Sequence, residues 1–174
     1  MRQVQFTVEG LTEFLEMPEF PEPSRRAQIG HTDVTLRNVH FSYTGDAADE
    51  VLHGVHLHLP EGSFTALVGP SGSGKSTVAK LIARFWDVTD GEITIGGVNV
   101  RDMPLSQRSE MVSFVAQDNF LFRCSLLENI RLGNPSATDE EVKAAAQAAQ
   151  CEEFISKLPQ GCDTPAGEAG KRLS

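Results

Sequence analysis

The sequence predicts an α/β fold: a strand, a glycine-rich loop and a helix at its core, with an antiparallel β-subdomain and a helical subdomain attached. Three observations predict it. The stretch Gly69-Pro70-Ser71-Gly72-Ser73-Gly74-Lys75-Ser76-Thr77 fits G-x-x-x-x-G-K-[ST]. The apolar run Phe64–Val68 precedes it, and apolar residues at helical spacing follow from Thr77 to Phe85. Apolar residues alternate with period two upstream of this unit, whereas helical signals prevail in the last third of the chain.

The loop residues suit one kind of ligand. Gly72 and Gly74 permit backbone conformations closed to other residues and put no side chain between the main chain and an anion. Successive N–H groups can then converge on a phosphate at a helix N-terminus, where the dipole favours negative charge. Lys75 offers a mobile cation to β- and γ-phosphates, and Ser76 a hydroxyl to Mg²⁺, which prefers oxygen ligands. The stretch therefore reads as a P-loop.

In chain order, Val4, Val8, Leu11 and Leu15 share one helical face, and Pro18 ends that pattern. Residues 18–31 read as a linker with little to bury. From Thr32 the period is two, through Val34 and Leu36, and then Val39 and Phe41; a bulge at Arg37-Asn38 would explain the slip in phase. A polar loop at 44–50 leads to a second strand region, Val51 to Leu59, and a turn at 60–62. Residues 92–100 read as a hairpin around Gly96-Gly97, and Pro104 and Leu105 open a short helix through Met111. Val112 to Ala116 is β-rich and ends at Gln117. Helices are expected at 125–131, at 138–149 behind a capping box on Thr138, and at 151–158.

Composition narrows the function classes. A net charge of −9 leaves no electrostatic footprint for nucleic acid. No run of about 18 apolar residues occurs, so no segment is expected to span a membrane, and the first residues lack a signal peptide's apolar core. Cys124, Cys151 and Cys162 are widely spaced and read as reduced thiols. His56 and His58 alternate with Leu57 and Leu59 and so share the polar face of a strand; the cluster they make with His53 reads as a solvated face rather than a metal site.

Taken in this order, the features resemble the nucleotide-binding domain of ATP-binding cassette (ABC) transporters, bacterial exporters in particular. Phe41-Ser42-Tyr43 resembles the segment whose aromatic residue stacks on adenine, and residues 69–77 the Walker A loop. Ala116-Gln117-Asp118 with Phe120-Leu121-Phe122 resembles the Q-loop, and residues 128–133 the exporter stretch that follows it. Residues 164–168 are similar to the segment that meets the transmembrane domains, and residues 2–16 to the end of the last transmembrane helix. The resemblance implies that Tyr43, Val51 and Ser71 to Thr77 hold ATP, that Ser76 and Gln117 contact Mg²⁺, and that Lys75 and Gln117 serve catalysis. It implies a helix and linker from a transmembrane domain at 1–31, a sheet and P-loop core at 32–117, and a helical subdomain over about 118–174.

Leu173-Ser174 resemble the opening of the signature LSGGQ. In the family the Walker B aspartate, the glutamate after it, the switch histidine and further sheet strands come later. The chain is therefore expected to be a truncated domain that binds nucleotide without the full catalytic apparatus. The intact protein is expected to be an ATPase at the cytoplasmic face of the cell membrane, coupling ATP binding and hydrolysis to export. Its expected partners are its transmembrane domains and a second nucleotide-binding domain, as homodimer or heterodimer. A soluble ABC-type ATPase, or a nucleotide-binding interaction module without hydrolysis, are the alternatives. A GTPase is disfavoured because no N-K-x-D guanine reader occurs.

Overall fold

The computed structural model describes residues 21–117 and 120–167, which fall into two compact units divided between Phe114 and Val115. The helix expected at 2–16, Asp118 of the Q-loop-like motif, Glu168 and Leu173-Ser174 lie outside the described residues.

In the first unit β1 (Val34–Ser42), β2 (Glu50–Leu59), β3 (Asp90–Ile95) and β4 (Val98–Asn99) form an antiparallel sheet of order β2-β1-β3-β4. The slip at Arg37-Asn38 is a real irregularity. Leu36 pairs with Leu57 and Val39 with Val55, the register shifts between them, and Asn38 takes a φ of 47°. This keeps Leu36, Val39 and Phe41 all buried. Gly96 and Gly97, at φ 58° and 78°, make the turn between β3 and β4, which needs positive φ at both central positions.

Helix α1 (Lys75–Ile82) buries Val78 and Leu81 against this sheet, in one cluster with Leu52, Ile93, Val100 and Met103. It ends earlier than the apolar spacing suggested. Arg84 adopts φ 53°, the Arg84 N–H bonds to Leu81 O and the Phe85 N–H to Lys80 O, so a left-handed cap closes the helix. The pattern could not show this, because arginine is an ordinary helix former. Arg84 is held there by its side chain, which is 1% exposed and donates from Nε to Asp87 at 2.8 Å.

Two expected strands are absent. Residues 64–68 form no ladder, and Phe64 and Val68 are 98% and 88% exposed. Residues 112–116 likewise pair with nothing, and Val115 is 88% exposed. A strand exists only through hydrogen bonds to a neighbour, and among the described residues neither run has one.

The expected linker buries more than its composition suggests. Ala27 and Ile29 pack against the core, and the segment is strapped to α2 (Leu105–Met111). The backbone of Ala27 exchanges two hydrogen bonds with the amide of Gln107, at 2.8 and 2.9 Å. Glu22 accepts from the Leu105 N–H at 2.9 Å and from Arg108 at 3.3 Å, and Arg26 pairs with Glu110. The Leu105 N–H, then the Arg108 charge, hold the Glu22 carboxyl below its usual range.

The second unit holds α3 (Leu126–Arg131), α4 (Asp139–Ala148) and α5 (Glu152–Ile155) around Leu126, Ala146, Ile155 and Ala166. Ser125 caps α3, and Thr138 with Glu141 forms the expected capping box on α4. The third helix is shorter than the expected 151–158. Its bonds tighten to i+3 from Phe154 to Lys157 and from Ile155 to Leu158, because the residue before Pro159 is pushed out of the helical region. The three cysteines are free and half-buried.

Candidate nucleotide-binding site

The turn into α1 depends on glycine. Gly74 is the helix N-cap at φ 82°, and a Cβ there would stand 2.5 Å from Leu52 Cδ2. Only glycine meets both demands. Gly72, at φ 81°, faces open space: beyond its own atoms and those of its chain neighbours, nothing lies within 4 Å of where a Cβ would be. The loop thus turns bare backbone outward at the end of a helix whose first N–H groups have no intrahelical acceptor.

A cavity of about 360 Å³ lies over this turn, lined by Val51 of β2 and residues 71–77. Val51 and Ser71 to Thr77, the residues expected to hold nucleotide, therefore share one site. Volume does not single it out. Hollows of about 450 and 610 Å³ lie on the second unit beside α4 and α5. What distinguishes the smaller one is its chemistry, four hydroxyls and glycine backbone beside a lysine, whereas the larger two have no glycine-rich loop.

Lys75 folds back on its own loop. Its Nζ donates to Gly69 O at 3.0 Å, Pro70 O at 2.6 Å and Ser73 Oγ at 3.0 Å. All three acceptors belong to the loop, so the ammonium group is held at the cavity's edge. Ser76 is exposed on the first helical turn, and Thr77 beside it is buried. The hydroxyls of Thr77 and Tyr43 share a hydrogen bond at 3.1 Å, which joins Tyr43 to the P-loop. Gln117 is exposed in the second unit.

Two carboxylates near the site are paired. Glu50, next to Val51, accepts from His53 at 2.7 Å and His40 at 2.5 Å. Those two bonds, His53 first, hold its carboxyl below the usual range against partial burial. Burial would raise the Asp87 carboxyl, but the bond and charge of Arg84, with Arg101 beyond, outweigh it and leave it lowered. Among the described residues no group of three His, Cys, Asp or Glu is arranged to hold a metal ion.

The motif pointed to the loop but not to its neighbours. The ring of Trp86 stands edge-to-face with that of Tyr43, centroids 5.2 Å apart, and Arg84 with Asp87 clamps the turn that carries it. Trp86 lies 43 residues from Tyr43 and beyond the helical pattern, so no local spacing links the two. The one available signal is compositional: they are the chain's single tryptophan and single tyrosine.

A glycine loop with a following lysine and hydroxyl, opening a helix beside an exposed hollow, defines the P-loop class of nucleotide-binding proteins. The ABC transporter family profile matches residues 52–174, and the chain belongs to that family. It is 44% identical over 142 residues to ABC transporter B family member 21 of Arabidopsis thaliana, covering 82% of this chain and 11% of that protein. It is 41% identical over 171 residues to the uncharacterized ABC transporter ATP-binding protein YknV of Bacillus subtilis, covering 95% of this chain and 28% of that one. The structure of a bacterial Atm1-family ABC exporter with ATP bound superposes with a TM-score of 0.84 at 35% identity, over 99% of this chain and 30% of that one. The fold is that of ABC ATPases. The chain spans less than a third of the length of each of these proteins.

Proposed function

We propose that this chain is the ATP-binding part of an ABC exporter, in which ATP binding and hydrolysis drive transport across a membrane. The observation that carries the reading is the convergence of Val51 and residues 71–77 on one cavity, with Tyr43 tied to its floor through Thr77. The exporter homologue solved with ATP bound supports the choice of nucleotide and of direction. The reading places the triphosphate on the N–H groups of residues 72–77, with the Lys75 ammonium exchanging its loop acceptors for phosphate oxygens. The open face at Gly72 fits this, since nothing there would obstruct a phosphate.

Tyr43 takes the adenine ring by stacking, and Val51 borders the same hollow. Ser76 and Gln117 are oxygen donors of the kind Mg²⁺ uses, and both are exposed. Bound beside Ser76, Mg²⁺ would neutralise charge on the phosphates. The contribution of Lys75 to hydrolysis is charge stabilisation at the transferred phosphoryl group. Transmembrane domains and a second nucleotide-binding domain are the partners in this reading, with the domain on the cytoplasmic side of the membrane. No described helix is long and apolar enough to cross one.

Lys75→Ala tests the site. It removes charge-assisted hydrogen bonds worth roughly 1.5–3 kcal/mol, so ATP affinity measured by calorimetry with Mg²⁺ should fall about 10- to 150-fold. Equal affinities for wild type and variant would reject it.

A further inference from the structure

We propose that Trp86 is a positioning residue for nucleotide recognition: together with the Thr77 hydroxyl it fixes the ring of Tyr43, so that the platform for the base stands preformed beside the P-loop. The inference rests on the reading of Tyr43 as the residue that meets the base. An exposed tyrosine ordinarily samples several rotamers, and a ligand that needs one of them must bear the entropy of immobilising it. Tyr43 is exposed, yet it is held at three points. Its hydroxyl is bonded to the buried Thr77 at 3.1 Å. The ring of Phe41, itself buried, meets it at a centroid distance of 4.7 Å and 82° between planes. Trp86 meets it at 5.2 Å and 89°. Both ring contacts have the edge-to-face geometry that aromatic quadrupoles favour.

Trp86 is in turn packed between neighbours. The left-handed turn at Arg84 and the Arg84–Asp87 pair enclose residues 85 and 86. Lys80 Nζ lies 5.6 Å from the Trp86 ring centroid, and Phe85 touches Trp86 on one side and Phe114 on the other, at 6.4 and 5.1 Å. The two groups that fix Tyr43 from the P-loop side come from one element: Thr77 lies in the first turn of α1, and Trp86 in the turn that closes its far end. The helix that presents its N-terminus to the phosphates therefore also sets the orientation of the aromatic ring. Trp86 acts through Tyr43 and need not touch the ligand.

The test uses the 174-residue chain, with Mg-ATP and Mg-tripolyphosphate as probes. With a single tryptophan in the chain, the tryptophan emission comes from Trp86 alone, and the Tyr43 variant isolates the contribution of the ring pair. ATP should alter that emission in wild type and tripolyphosphate should not, and the response should vanish in Tyr43→Leu. Trp86→Leu should weaken ATP about three- to tenfold and leave tripolyphosphate unchanged, and Trp86→Phe should restore most of the loss. In the Tyr43→Leu background, Trp86→Leu should have no further effect. If Trp86→Leu weakens both ligands alike, or weakens ATP equally with and without Tyr43, the positioning role is overturned while the reading of Tyr43 stands. If Tyr43→Leu leaves ATP affinity unchanged, the reading of Tyr43 itself fails and the proposal with it. Should Trp86→Leu not fold, wild-type emission decides: no response to ATP at saturation overturns the proposal.

Discussion

Strand β1 and the run at 64–68 lie in the same unit and are built from similar residues, yet they meet opposite fates. Leu36, Val39 and Phe41 are buried between two antiparallel neighbours, whereas Phe64 and Val68 stand almost fully in solvent. Both runs have the β-branched and aromatic character that favours a pleated surface. The difference is the ladder. β1 has its backbone groups bonded to β2 and β3, and its side chains fall onto α1, while residues 64–68 have no strand beside them among the described residues. Apolar character makes a segment fit for burial; a hydrogen-bonded neighbour is what buries it.

The sharpest way to break this comparison is to cut back one side chain in each region. Leu36→Ala removes a side chain 1% exposed and should cost roughly 2–5 kcal/mol in denaturant unfolding of the chain. Phe64→Ala, at a position 98% exposed, should fall within about 0.5 kcal/mol of wild type. Similar losses at both would mean that residues 64–68 are buried in solution.

The same contrast can be drawn with charges. Arg84→Met strips a buried guanidinium from Asp87 and from the carbonyls of Arg101 and Pro21, at an expected cost of roughly 1–3 kcal/mol. Arg37→Met breaks only the exposed pair with Glu92, worth about 0–1 kcal/mol. The pH dependence has a defined sign. Despite partial burial, the Asp87 carboxyl is held below its ordinary 3.8, so its stabilisation is complete above that pH and is lost as pH falls through the lower folded value. Arg84→Met should therefore flatten the acid limb of the stability curve, and an unchanged limb would show that Asp87 gains nothing from the pair.

The smallest expected effect concerns helix ends. Thr138→Ala removes the capping box of α4 and should cost about 1 kcal/mol, read as a lower Tm, whereas Thr65→Ala in the exposed run should leave Tm unchanged. Equal shifts would show that the cap is not formed in solution.

Features set by near neighbours in the chain were legible in the sequence. The P-loop, the bulge at Asn38, the Gly96-Gly97 turn and the capping box on Thr138 each depend on residues within a few positions of one another. Features set by distant partners were not. Whether residues 64–68 pair depends on a neighbouring strand, and whether residues 21–29 are loose or strapped depends on Gln107, Arg108 and Glu110, some 80 positions away. The site divides in the same way. Lys75, Ser76 and the glycines were evident from spacing, whereas the bond from Tyr43 to Thr77 and the contact with Trp86 join residues more than 30 positions apart.

Amide hydrogen exchange with and without Mg-ATP shows whether nucleotide is held by the loop between Gly69 and α1. ATP should slow exchange at residues 72–78 and leave β1 nearly unchanged, and the effect should be lost in Lys75→Ala. ATP bound at saturation with the loop amides unprotected, and protection appearing instead beside α4 and α5, would contradict that placement.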